Sequence, residues 1–128
     1  MAVELNHTIV WCRDKRKSSA FLTGMLGLPP AFPFGPFLVV ELGNGVSLDF
    51  HDKEGAIAMQ HLAFLIGEDD FDRVFRRLRE QGLNYWADPG KALPGEINRH
   101  DGGRGLYFDD PDGHLLEVIT RPYGSGPE

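Results

Sequence analysis

Four side chains carry the chemistry that this sequence could do: His7, Asp49, His61 and Glu117. Two imidazoles and one or two carboxylates make a nitrogen and oxygen donor set suited to a divalent metal, Fe, Mn, Zn or Ni. Three donors, His7, His61 and Glu117, would leave positions open for substrate or oxygen. Asp49 as a fourth would make a more crowded octahedral site that keeps waters. Glu117 stands in mid-strand between Leu116 and Val118, where burial is costly unless a cation offsets it. A polar loop, Asn98 to Gly105, adds His100 and Arg104, and Tyr107 follows. As a lid over an anionic or enolate-forming substrate, this loop would supply His100 as general acid or base and Arg104 as a carboxylate anchor. Tyr107 would face the cavity as a hydroxyl donor. His51 is expected at the rim and His114 at a turn or the surface.

Those donors need elements to aim them. Strands are expected at Leu5 to Trp11, Phe37 to Leu42, Val46 to His51, Gln60 to Ile66, Leu106 to Phe108 and His114 to Thr120. Side chains alternate between faces along a strand. His7 therefore shares a face with Ile9 and Trp11, His61 with Ala63 and Leu65, Asp49 with Ser47 and His51, and Glu117 with Leu115 and Ile119. The opposite faces are mostly apolar and suit helix packing. One helix is expected from Lys15 to Met25, capped by Asp14. A second carries Phe71, Val74, Phe75 and Leu78 as an apolar stripe, with Asp69 or Asp70 as its cap and Gly82 past its end. Gly43-Asn44-Gly45 and Asp110-Pro111-Asp112-Gly113 are strong turn signals, and Leu28 to Pro36 and Ala87 to Gly105 read as loops.

The order strand, helix, loop, hairpin occurs twice, with His7 and His61 opening the two halves. About 1–55 and 56–121 form the repeats of a single domain, since each half is too small to hold a core alone. Residues 122–128 are expected to be a flexible tail.

Composition narrows the field. With 128 residues, 13 Lys plus Arg and 19 Asp plus Glu, the net charge is −6, which excludes a basic face for nucleic acid or anionic membrane. One cysteine excludes a disulfide framework. No apolar run approaches the roughly 20 residues of a membrane span, so a cytoplasmic protein is expected. Sixteen glycines and nine prolines fit many turns between short strands.

The duplicated pattern and the hairpin Tyr107-Phe108-Asp109-Asp110-Pro111-Asp112-Gly113-His114-Leu115-Leu116-Glu117 resemble the vicinal oxygen chelate superfamily, which includes glyoxalase I, fosfomycin-resistance transferases, extradiol dioxygenases and bleomycin-resistance proteins. The resemblance spans roughly Leu5 to Arg121. It implies an α+β fold in which two βαβββ modules pair into a cupped mixed sheet. His7, His61 and Glu117 match the family's metal ligands, and Asp49 falls where glyoxalase I has a glutamate one methylene longer. The implied function is a divalent-metal-dependent, glyoxalase- or dioxygenase-like enzyme of the lyase, isomerase or dioxygenase type. It would chelate adjacent oxygens of a small-molecule substrate and stabilise an enolate, alkoxide or oxygen adduct, with a homodimer expected and Glu117 also serving as a base. The alternative is antibiotic resistance, by a fosfomycin-type transferase or a bleomycin-type drug-binding protein. Asn98, Arg99 and Tyr107 fall where the fosfomycin group has similar residues, but Asp101-Gly102-Gly103-Arg104 lacks the serines of that group's potassium loop.

Overall fold

The computed structural model describes residues 2–126. The chain divides into two compact units, Met1–Ala58 and Met59–Glu128.

The first unit runs β1 (His7–Cys12), α1 (Lys15–Leu26), β2 (Phe32–Phe34), β3 (Phe37–Glu41) and β4 (Ser47–Asp52). Asp14 starts α1: its Oδ1 accepts from the backbone N–H groups of Arg16 at 3.0 Å and Lys17 at 3.4 Å. Gly27, in the left-handed region at φ 70°, ends it. The sheet order is β1-β4-β3-β2, with β1 parallel to β4 and the other pairs antiparallel. Helix α1 packs on β1, β3 and β4, whose buried Val10, Cys12, Val40, Leu48 and Phe50 supply the core. The stretch Leu28 to Pro36, expected to be loop, contains the edge strand β2, paired Phe32↔Val39 and Phe34↔Phe37. Pro33 is tolerated there because an outermost strand needs no second row of donors.

The second unit runs β5 (His61–Leu65), α2 (Glu68–Glu80), a 3₁₀ turn (His100–Gly102), β6 (Gly105–Asp109) and β7 (Leu115–Ile119). Its sheet order is β5-β7-β6, again with one parallel and one antiparallel pair. Phe71, Val74 and Leu78 of α2 are buried, with Phe64, Leu106, Phe108, Leu116 and Val118 of the strands. Gly67, not Asp69 or Asp70, is the N-cap of α2; the three acids Glu68, Asp69 and Asp70 fill the first turn, where the helix dipole favours them. In place of a third βαβββ strand before β6 there are only isolated bridges, Trp86 with Pro94 and Tyr107, and Asn98 with Gly105. Pro89, Gly90, Pro94 and Gly95 interrupt any longer ladder there.

The repeat is visible in the registers. Within the first unit Ile9 pairs with Asp49, and within the second Ala63 pairs with Glu117. Each histidine therefore opens its strand beside a closing strand whose carboxylate stands two residues further on.

Candidate functional site

The second unit assembles a polar cluster on β5, β6 and β7. Glu117 is 1% exposed, held in the middle of β7 between β5 and β6. Its Oε1 lies 3.1 Å from His61 Nε2. His61 Nδ1 lies 2.9 Å from the Leu115 carbonyl oxygen. A carbonyl only accepts, so Nδ1 carries the hydrogen and donates it. In the neutral ring Nε2 is then a bare lone pair pointed at a buried carboxylate oxygen. Two acceptors at that distance repel unless a cation stands between them or the ring is protonated. The pair could therefore hold a cation or form an ion pair with a protonated ring, and the Leu115 carbonyl fixes the Nδ1–H in either case.

Around this pair stand two phenols. Tyr107, buried on β6, stacks on His61 with ring centroids 6.0 Å apart and planes at 25°. The Tyr123 hydroxyl donates to Glu117 Oε2, so the Tyr107 hydroxyl, 3.2 Å away, donates to Tyr123. Burial first, and then the contact with Glu117, push the Tyr123 hydroxyl far up, so it stays protonated and a donor. Burial likewise pushes Tyr107 up. Sequence reasoning missed Tyr123: it lies in Pro122-Tyr123-Gly124, a stretch with no periodicity, and the one signal was an aromatic ring six positions past Glu117. Within the segment expected to be a flexible tail, Pro122–Gly126 makes these and further contacts, while Pro127 and Glu128 lie outside the described residues.

The other expected site residues fall as follows. His100 opens the 3₁₀ turn and lines, with Arg99, Asp101, Tyr123 and Gly124, a cavity of about 480 Å³. Arg104 points elsewhere: its guanidinium meets Glu68 Oε1 and Asp72 Oδ1, each at 2.8 Å, and lies 4.4 Å over the Phe71 ring. Glu68 and Asp72 of α2 take this cation, so it ties the residue preceding β6 to α2. The Thr120 hydroxyl and then Arg104 hold Glu68 below the usual carboxylate range. His114, expected at a turn or the surface, is fully buried; its Nδ1 accepts from the Gln60 backbone N–H at 2.9 Å and pins the start of β5 to β7. In the first unit, His7 donates Nδ1–H to the Asn6 side-chain oxygen at 2.7 Å, which leaves Nε2 as its lone pair. Asp49 is half-buried on β4, and His51 packs against Trp11 and Phe37. Of the four expected metal donors, the second unit brings His61 and Glu117 together; among the described residues no three His, Cys, Asp or Glu side chains gather as a metal cluster. No helix is long and apolar enough to cross a membrane among those residues.

A sequence profile for the Glyoxalase/Bleomycin resistance protein/Dioxygenase superfamily matches residues 4–118, and the chain belongs to that superfamily. Among solved structures it is similar to "Oxidase ChaP-H2", at 61% identity and a TM-score of 0.96, covering 99% of this chain and 100% of that one. Among characterised proteins it is similar to "Glutathione transferase FosA" of Serratia marcescens, 29% identical over 124 residues, 92% of this chain and 81% of the relative. It is also similar to "Metallothiol transferase FosB" of Shouchella clausii (strain KSM-K16), 40% identical over 72 residues, 56% of this chain and 45% of that one.

Proposed function

We propose that the protein is a divalent-metal-dependent oxidase or dioxygenase acting on a small molecule with adjacent oxygen atoms. The observation that carries the metal reading is the bare Nε2 of His61 aimed at Oε1 of buried Glu117, 3.1 Å away. The oxidative reading is supported by the full-length similarity, at 61% identity, to an oxidase. His61 and Glu117 fit a metal of the Fe or Mn kind. When bound, such an ion supplies Lewis-acid polarisation of substrate oxygens.

The chain's own groups set the rest. The Leu115 carbonyl holds His61 in the tautomer that leaves Nε2 available. Tyr107 and Tyr123 form a line of hydroxyls ending on Glu117; both hydrogens are donated along it, so the line holds the carboxylate and leaves the Tyr107 oxygen as an acceptor for a substrate hydroxyl. His100, at the wall of the adjoining cavity, is placed to exchange a proton with a substrate there. Arg104 takes no part, since its guanidinium is engaged on α2.

Oxygen uptake tests the reading. Fe²⁺-loaded protein given a catechol or an ortho-hydroxycarbonyl aromatic is expected to consume oxygen, and His61→Ala is expected to lose that uptake. The second reading, a thiol transferase acting on fosfomycin, is favoured by the similarity to the glutathione transferase over 92% of this chain. Glutathione consumption with fosfomycin and Mn²⁺, without oxygen uptake on any such aromatic, would replace the first reading by the second.

A further inference from the structure

The two oxygens of Glu117 have different neighbours: Oε1 faces His61, and Oε2 accepts from the Tyr123 hydroxyl. Tyr123 is 59% exposed, so its ring lies outside while its hydroxyl reaches a carboxylate that is itself 1% exposed. The segment carrying it is short and rich in glycine, yet it is fixed by named contacts. The Arg121 guanidinium donates to the Ser125 carbonyl at 3.2 Å. The Ser125 hydroxyl, at 2.6 Å, and its backbone N–H, at 3.1 Å, both donate to the Pro122 carbonyl. The Gly126 N–H donates to Asp101 Oδ1 at 3.4 Å.

The receiving turn is shaped for this segment. Asp101 is buried and holds φ 58°, a left-handed conformation uncommon for a residue with a side chain. A Cβ on Gly126 would overlap the Asp101 backbone carbonyl, and one on Gly103 would stand 2.5 Å from Thr120 Oγ1 and 2.6 Å from Arg121 Cγ. Backbone therefore meets backbone at 101 and 126, and only glycine allows it there.

We infer that Tyr123 is a positioning residue for Glu117, delivered by a strap, residues 121–126, that docks on the 100–103 turn through Gly126. An unrestrained carboxylate can turn either oxygen, or both, toward a cation. With Oε2 occupied by the phenol, Oε1 alone is presented to the space at His61 Nε2. The inference rests on the metal reading proposed above, and the strap adds to it a device for setting the geometry of one ligand.

The test is calorimetric titration of the full metal-free chain with Mn²⁺, joined to the visible spectrum of the Co²⁺-loaded protein. Tyr123→Phe is expected to weaken Mn²⁺ binding about 10- to 100-fold, the usual cost of removing an outer-shell partner, and to change the Co²⁺ spectrum, which a merely structural role would not do. Gly126→Ala, which touches neither His61 nor Glu117, is expected to weaken binding in the same direction. The double variant is expected to be no weaker than Tyr123→Phe alone, because both act through one hydrogen bond. If Gly126→Ala does not fold, Tyr123→Phe decides alone. Wild-type affinity and an unchanged Co²⁺ spectrum in Tyr123→Phe would overturn the inference while leaving the metal reading standing. A wild-type chain that binds neither Mn²⁺ nor Co²⁺ would overturn both.

Discussion

Replacing Glu117 by Gln separates a metal ligand from a structural ion pair by the sign of a stability change. Glu117 is 1% exposed and its Oε1 faces His61 Nε2 at 3.1 Å, while His61 Nδ1 donates to Leu115. With the ring neutral in that tautomer, two acceptors oppose each other at the buried carboxylate. Glutamine keeps the shape and gives an N–H that can donate to Nε2, while its oxygen can still accept from Tyr123. Giving the buried side chain a donor toward the 43%-exposed His61 is worth about 0.5–1.5 kcal/mol. For a chain of this size that is a rise in melting temperature of roughly 3–5 °C per kcal/mol. The metal-free variant is therefore expected to melt higher than the metal-free wild type. Addition of Mn²⁺ is expected to raise the wild type, through ligand linkage, and to leave Glu117→Gln where it was. Scanning calorimetry at pH 8 with EDTA and then with Mn²⁺ reads both signs. A variant that melts lower than wild type in EDTA would refute the reasoning, because it would make Glu117 the stabilising partner of a protonated His61.

Further predictions concern the scaffold. Arg104→Ala is expected to cost about 0.5–1.5 kcal/mol, from two partly exposed ion pairs and the contact with Phe71, in urea melts, with Mn²⁺ affinity unchanged; a loss of affinity at constant stability would restore Arg104 to the site. Glu68 is held low by Thr120 and Arg104, so its contribution is present above the free carboxylate value near 4.3 and is lost as pH falls through the lowered folded value; the acid-side drop in melting temperature should be shallower in Glu68→Gln. Asp110 is pushed up by burial, against the N–H groups of His114 and Asp112 that it accepts. Its contribution is therefore present below the free value near 3.9 and lost as pH rises through the folded value. Asp110→Asn, which keeps the acceptor, should melt higher than wild type at pH 7, and that gain should vanish near pH 3. His114→Ala is expected to cost about 2–4 kcal/mol, from a cavity plus an unpaired Gln60 N–H, measured by denaturant unfolding.

What could be read from residues alone was what local patterns determine. Alternation placed His61 and Glu117 on matching faces, Asp14 was legible as a cap because its carboxylate has one obvious use, and Asp-Pro-Asp-Gly was legible as a turn. The features that escaped depend on contacts distant in sequence. His114 looked like a turn residue because nothing local reveals that its Nδ1 meets Gln60 across the β5–β7 pair. Arg104 looked like a lid residue because its partners, Glu68 and Asp72, lie more than thirty positions earlier on α2. The strand β2 was hidden by Pro33, which forbids a central strand but not an edge. Tyr123 was hidden by its neighbours, since glycine and proline around an aromatic signal a loose end unless one knows that Gly126 fits against Asp101.

The central claim is that His61 and Glu117 hold a divalent metal. Calorimetric titration of metal-free protein with Mn²⁺ at pH 8 tests it most directly, with His61→Ala and Glu117→Ala beside the wild type. The account predicts saturable binding by the wild type and none measurable in either variant. Binding of undiminished affinity in both variants, or none in the wild type, would contradict it.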